Sequence, residues 1–337
     1  MSLKKIAQTL GISVTTASRA LNDHDDVAKD TKQKVFKAAK AMGYRPNASA
    51  RSLKMGKSYV IGLVYPFHVD VLNDICFTQM IDSLNKELNQ LGFDLLLIPD
   101  ENKDEIPVFH RLLSSQRVDA LLIAHTFMDD ARLRYLVKHQ FPFIALGRSN
   151  LSAEFAWFDF DNQQGIRMAI DYLVQQGHQK IAYIGGNQPL TFIHLRRTGY
   201  VLGMQSAQLA FNDEDCQMTE MNRRGGYQAC QVLLTRHASQ IPTAIITDCN
   251  MIADGVAMAL EQYMQRNPKR TKPVLITYDG LPLDTLSNYP YSTITQSTRN
   301  LVGKQIANML VQLLAGEEIK NLQVLWQPVL KIHSPNH

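Results

Sequence analysis

Residues 2–22 read SLKKIAQTLGISVTTASRALN. Leu3, Ile6, Ala7 and Leu10 recur at helical spacing, Ser2 is placed to cap the helix, and Gly11 supplies the left-handed residue that ends it. Ser13 is placed to cap a second helix carrying Val14, Ala17 and Leu21 on its buried side. Small Ala7 and Ala17 let two short helices cross closely. A third helix is expected from about Asp30 to Met42, with Val35, Phe36, Ala39 and Met42 as its stripe and Gly43 as its stop. This is the pattern of a helix-turn-helix, whose second helix lies in the major groove with its N-terminal residues toward the bases. Val14, Thr15, Ser18 and Arg19 are the candidate readers. Val14 can meet a thymine methyl, Thr15 and Ser18 are short donor/acceptor groups, and Arg19 can clamp a guanine or a phosphate. Thr16, Asn22 and Tyr44 complete the candidate DNA contacts of the head. The plainer alternative is a three-helix bundle with solvated polar faces.

Charge supports the DNA reading. Residues 1–58 hold twelve Lys and Arg against four Asp, a net +8, and the remainder carries 23 bases and 27 acids, a net −4. A basic head on a mildly acidic body suits contact with a polyanion. The joining segment, YRPNASARSLKMGKS (44–58), is stopped by Arg45-Pro46 and can form a short helix from Asn47 to Leu53. Leu53 is an apolar group on a thin basic segment. Beside Arg51 and small Ala50 it suits a wedge inserted between base steps in a minor groove.

From Tyr59 onward, short apolar runs alternate with helical patterns. The runs include YVIGLVYP (59–66), FDLLLIP (93–99), DALLIAH (119–125), PFIALG (142–147), KIAYIGG (180–186), TAIITD (243–248) and PVLITYDG (273–280). MIDSLNKELNQLG (80–92) and GIRMAIDYLVQQG (165–177) are typical of the helices between them. Such alternation implies doubly wound parallel sheets, and this length implies two α/β lobes with a ligand held between their strand C-termini. Candidate ligand contacts just after strands are Phe67, His68, His125, Arg148, Phe160 with Asp161, Arg196, Cys249 with Asn250, and Asp279. Arginine opposing aspartate, with aromatics nearby, suits a polyhydroxy ligand. Arg148 is equally readable as a structural ion-pair partner and Asp161 as a helix cap.

Other function classes find little support. No G-x-S-x-G, no G-x-x-x-x-G-K-[ST] phosphate loop and no H-E-x-x-H is present, so an enzyme is not expected. Cys76, Cys216, Cys230 and Cys249 are scattered, and with ten dispersed histidines they give no metal spacing. No cofactor is expected. Nothing of signal-peptide type follows Met1, and no apolar stretch spans a bilayer, so a cytoplasmic protein is expected, associated with the nucleoid when bound to DNA. A sugar-binding protein without DNA function, or an α/β enzyme with a DNA-binding head, are the rival classes.

Seven segments together resemble the LacI/GalR (lactose-repressor/galactose-repressor) family of bacterial transcriptional regulators. They are IAQTLGISVTTASRALN (6–22), AAKAMGYRPNASARSLKMGKS (38–58), FDFDNQQG (158–165), LVQQGHQKIAYIGG (173–186), RRTGY (196–200), ITYDG (276–280) and YSTITQ (291–296). The resemblance implies a helix-turn-helix domain over 1–46, a hinge helix over 47–58 that orders on the operator, and a periplasmic-binding-protein-like core over 59–337. It places the N-lobe at about 59–160 and 292–325 and the C-lobe at about 161–291 and 326–337, with crossings near Phe160, Pro290 and Trp326. It implies base reading by Val14, Thr15, Ser18 and Arg19, a wedge at Leu53, and effector anchors at Arg196 and Asp279 with Phe160 as a wall. It further implies a homodimeric repressor on palindromic operator DNA, released by a sugar, with a lean toward di- or oligosaccharides. The alternative is a corepressor-type regulator whose ligand is a purine or sugar phosphate. Three positions depart from the family. Ala28 stands where a Ser usually caps the third helix, Gly147-Arg148 follows a strand where Asp is frequent, and Cys249-Asn250 replaces an Asn-Asp pair.

Overall fold

In a computed structural model the described residues are 2–21, 24–44, 57–66, 74–100, 105–236, 241–296 and 299–333. The chain divides into two units, Met1–Ser58 and Tyr59–His337. Asn22, Asn47, Ala50, Arg51 and Leu53, and in the second unit Phe67 and His68, lie outside the described residues.

The head is built from α1 (Leu3–Leu10), α2 (Val14–Leu21) and α3 (Lys29–Ala41). Gly11 ends α1 at φ 64°, and the Ile12 amide closes the turn on Ala7 O at 3.0 Å. Ser13 Oγ accepts the Thr16 amide at 2.9 Å, which satisfies an otherwise orphaned donor of α2. Ile6, Ala20, Val27, Val35 and Ala39 form the core, so the close crossing rests on alanines as well as branched residues. Three details differ from expectation. Ser2 occupies the cap position of α1 but its side chain makes no cap hydrogen bond, Val14 at the start of α2 is exposed rather than buried, and Phe36 lies outside the core at 48% exposure. One helical step separates Phe36 from buried Val35, enough to turn it off the stripe.

Among the described residues the second unit contains two six-stranded sheets. The first has the order β11-β5-β4-β3-β1-β2, from β1 (Val60–Pro66), β2 (Asp94–Asp100), β3 (Ala120–Ala124), β4 (Phe143–Leu146), β5 (Ala156–Phe160) and β11 (Gln323–Trp326). All of its pairings are parallel, for example Ile61 with both Leu95 and Ala120. The second has the order β12-β10-β9-β8-β6-β7, from β6 (Ile181–Gly186), β7 (Cys216–Thr219), β8 (Ala244–Thr247), β9 (Val274–Tyr278), β10 (Ser292–Thr295) and β12 (Val329–Lys331). Only β12 is antiparallel among its pairings. Parallel neighbours need helical crossovers. These are supplied by α4 (Ile75–Gln90), α5 (Glu105–Ser114) and α6 (Ala131–Lys138) in the first lobe, and by α8 (Thr191–Ser206), α9 (Arg223–Arg236) and α10 (Asn250–Arg266) in the second. Two apolar clusters flank each sheet, so strands such as ALLIA are buried throughout.

The described strands and helices place three passages of the chain between the lobes. Strand β5 leads into α7 (Asn162–Gln175), β10 into α11 (Arg299–Leu314), and β11 into β12. The middle crossing corrects the reading of the sequence, because Ser292–Thr295 pairs with β9 and β12 and so belongs to the second lobe. Pro290 marks the approach to β10, where its missing N–H costs the ladder nothing, and the crossing comes after Thr295.

Candidate functional site

A cleft of about 200 Å3 lies at the C-terminal ends of the strands of both lobes. His125, Arg148, Phe160, Arg196, Cys249, Asn250 and Asp279, nominated separately from the sequence, all line it. They converge because each follows or ends a parallel strand, or lies on a helix that packs there, and the C-termini of such strands open onto one crevice.

Arg196, on α8, is 4% exposed and forms the floor. Its Nε donates to Asn162 Oδ1 at 2.8 Å and its Nη1 donates to the Asp248 carbonyl. The guanidinium lies 3.4 Å over the Tyr278 ring centroid and 4.8 Å over that of Phe192. Burial works against the charge, but Tyr278, Asp279 and Asp248 outweigh it and raise the pKa, so Arg196 is a permanent cation. Asp248 sits behind it, fully buried, with Oδ2 accepting the Gly186 amide at 2.8 Å. Burial raises the pKa of Asp248.

Arg148 follows β4 and pairs through Nε with Asp159 Oδ2 at 2.9 Å, so the ion-pair reading of this residue holds together with its place in the cleft. Gly147 precedes it at φ 125°, and a Cβ there would lie 2.5 Å from Thr126 Oγ1. That contact is a physical reason for glycine where an aspartate is frequent in the family. Asp161 is the cap of α7, accepting the Gln164 amide at 3.1 Å, and does not line the cleft. Phe160 packs edge-to-face against Phe158 and Trp326 at the base of the first lobe.

His125 and Asp279 hold left-handed backbone, at φ 54° and 65°. Non-glycine residues seldom adopt it, and such strain gathers at functional sites. The His125 conformation is clamped by buried Arg132, which donates to the His125 carbonyl at 2.9 Å and forks onto Asp130 at 2.8 and 3.0 Å. Asp279 accepts from Gln296 Nε2 at 3.4 Å. Cys249 precedes α10 and is 9% exposed. Burial, then the neighbouring Asp248, push its thiol well up, so it is a protonated wall residue rather than a nucleophile.

The sequence reading missed several lining residues. Asp74 caps α4 through the Cys76 amide at 2.9 Å and also accepts from Asn250 Nδ2 at 3.2 Å, tying the first lobe to the second. The Thr191 amide donates to the Thr126 carbonyl at 2.8 Å, a second tie. Asp159, Asn162, Phe77 and Phe192 also line the cleft. An Asp immediately before an apolar helical run signals a cap, and FDFDN signals a strand end, but neither shows what lies opposite.

In the head, Val14, Thr15 and Arg19 are exposed on α2, with Thr16 and Ser18 half-buried beside them. Thr16 Oγ1 shares a hydrogen bond with Ser13 Oγ at 2.8 Å. Arg19 pairs with Asp26 at 2.6 Å. Tyr44 packs against the head core.

Comparison with known proteins agrees with this anatomy. Residues 2–47 match the family described as bacterial regulatory proteins, lacI family, and residues 58–331 match periplasmic binding proteins and sugar binding domain of LacI family. The HTH-type transcriptional regulator RafR of Escherichia coli is 42% identical over 340 residues, covering 100% of both chains. The regulator AglR of Rhizobium meliloti (strain 1021) is 33% identical, over 99% of this chain and 94% of its own. A solved structure, a putative transcriptional regulator from Yersinia pestis biovar Microtus str. 91001, is 44% identical with a TM-score of 0.75, covering 82% of this chain and 97% of its own. The lac repressor dimer bound to operator shares the fold, with a TM-score of 0.83 at 24% identity over 98% of both chains. These relatives are regulators and not enzymes. No helix among the described residues is long and apolar enough to cross a membrane. With both family matches in order along the chain and a full-length relative at 42% identity, this protein belongs to the LacI family of bacterial DNA-binding transcriptional regulators.

Proposed function

We propose that this regulator is a homodimeric repressor, acting in the bacterial cytoplasm, whose effector is a neutral sugar of di- or oligosaccharide size held between the two lobes. The carrying observation is the charge arrangement of the cleft. Among its described lining residues are Arg148 and Arg196 against Asp74, Asp159 and Asp279. An anionic sugar phosphate would meet this excess of carboxylates, whereas hydroxyls accept from arginine and donate to aspartate in the same place. Phe77, Phe160 and Phe192 offer apolar faces to sugar C–H groups. A cavity of about 200 Å3 is below the range of about 300–1,000 Å3 usual for small-molecule sites. A ligand larger than one ring therefore parts the lobes or projects from the mouth, and either alters the angle between them. A cellobiose complex of the regulator CelR, 22% identical, has the same fold.

In this reading residues 1–46 read DNA through Val14, Thr15, Thr16, Ser18, Arg19, Asn22 and Tyr44. The segment 47–58 is a hinge with Asn47, Ala50, Arg51 and Leu53 at the minor groove. The core from 59 onward holds the effector and the dimer contacts. Leu96 and Leu97 on edge strand β2, and Leu283 and Leu286 at 83% and 88% exposure, are apolar groups available to a second copy. Effector and operator bias the same hinge equilibrium, so their coupling is reciprocal and about 1–3 kcal/mol.

The test is fluorescence anisotropy on a labelled palindrome of about two helical turns, titrated with neutral mono-, di- and oligosaccharides and with their phosphates. Release by a neutral sugar supports the reading. Strengthened binding, or a response to phosphates alone, overturns it.

A further inference from the structure

The two cleft arginines belong to different lobes and lie far apart in sequence, yet an unbroken set of hydrogen bonds joins them. Arg148 Nε donates to Asp159 Oδ2 at 2.9 Å. Asp159 Oδ1 accepts from Asn162 Nδ2 at 3.1 Å. Asn162 Oδ1 accepts from Arg196 Nε at 2.8 Å. Asp159 is the penultimate residue of β5 and Asn162 the first of α7, so the set runs along the strand-to-helix crossing between the lobes.

We propose that Asp159 and Asn162 are positioning residues that aim the two arginine forks into the cleft and make the setting of one depend on the other. The proposal rests on reading the cleft as the effector site. Both residues are buried, at 8% and 2% exposure, so neither hydrogen bond competes freely with water. The carboxylate cannot rotate without loss, because its Oδ1 also accepts the Phe160 amide at 2.8 Å. The amide of Asn162 has one workable orientation. Its Nδ2 faces two acceptors, Asp159 Oδ1 and the Phe160 carbonyl at 3.0 Å, and its oxygen faces the donor Arg196. Each arginine is thus gripped by its Nε edge. Among the described residues the terminal nitrogens of Arg148 make no hydrogen bond, and its guanidinium lies 5.9 Å over the Trp157 ring centroid, which leaves the polar edge of the fork for a ligand. Burial raises the pKa of Asp159, consistent with a carboxylate held inside the protein for its geometry rather than its solvation.

A ligand that turns either fork therefore pulls on the crossing itself. An ordinary packing role predicts no such link, because the hydrogen bonds between Asp159 and Arg196 run through Asn162.

Hydrogen exchange of the arginine Nε–H groups, followed by NMR on the full-length, ligand-free protein, tests this directly. In the wild type both Arg148 and Arg196 Nε–H exchange slowly relative to exposed arginines. Asp159→Asn keeps an oxygen for Phe160 and Asn162 but turns an NH2 toward Arg148. It accelerates Arg148 by about tenfold, the population change expected for a lost charge-assisted hydrogen bond, and spares Arg196. Asp159→Ala removes both arms and accelerates Arg196 as well, by threefold or more. Asn162→Ala accelerates Arg196 by about tenfold. Thermal melting of each variant verifies the fold. If Arg196 exchange in folded Asp159→Ala stays within twofold of wild type, or if either Nε–H exchanges rapidly in the wild type, the relay is refuted. No sugar is added, so this outcome is independent of whether a sugar is the effector.

Discussion

Replacing Arg196 by alanine ought to damage the core as well as the response to effector. The substitution removes a buried cation and leaves the Asn162 Oδ1 and the Asp248 carbonyl without their donor, at a position only 4% exposed. It also strips the stack on Tyr278 and Phe192. Breaking a buried charged arrangement by removing one member costs about 3–5 kcal/mol. A unit of this size loses about 2–4 °C of Tm per kcal/mol, so the first transition should fall by roughly 6–20 °C. Arg196→Lys keeps the charge but not the planar fork, and should lie between the two. Differential scanning calorimetry of the full-length chain reads the shift. Operator binding without effector, measured at 25 °C, should persist because the lobes remain folded, whereas release by effector is lost. A Tm drop below about 2 °C in Arg196→Ala would refute the argument that this residue is integral to the second lobe.

Other outcomes follow from the same geometry. Arg19→Ala should change head stability by less than about 1 kcal/mol, because its pair with Asp26 is exposed, yet cost about 1–3 kcal/mol of operator affinity with relaxed specificity at one base pair. A uniform loss across all sequences in a competition gel shift would make it a phosphate contact instead. Ala28 precedes α3 with φ −55° and ψ 138° and makes no side-chain cap, so Ala28→Ser should stabilise the head by about 1 kcal/mol in thermal melts, and no gain would show the helix start is already satisfied. His178, bonded through Nδ1 to Thr243 Oγ1 at 2.9 Å, has its pKa lowered by burial below the usual 6.5. The folded protein favours the neutral ring, so the contribution is present above pH 6.5 and is lost as pH falls through the lowered value. His178→Gln should flatten that part of the stability–pH curve, and an imidazole NMR titration at or above 6.5 would contradict it.

Much of the fold could be read from local pattern. Helical spacing around Gly11 and Ser13 defined the head because caps and turn residues act over one or two neighbours. The runs YVIGLVYP, DALLIAH and TAIITD announced central strands because a strand covered by helices on both faces is apolar at every position. Residues following those runs supplied candidates for the cleft, since strand C-termini of a doubly wound sheet face one crevice. What the sequence left open was pairing. Strands β7, β11 and β12 are short and partly exposed, and only their hydrogen-bonded neighbours define them. Strand β10 could be assigned to the second lobe only through its ladder with β9 and β12, which moved the middle crossing past Pro290. The same holds within the cleft. Sequence could nominate Arg148, Arg196 and Asp279 by residue type and position, but Asp74 meets Asn250 across 176 residues only when both sheets are assembled, and Asp159 meets Arg148 only once β4 and β5 pair. Capping and periodicity are local and are written in consecutive residues. The burial and facing of polar groups depend on which strands become neighbours, and tertiary structure alone decides that.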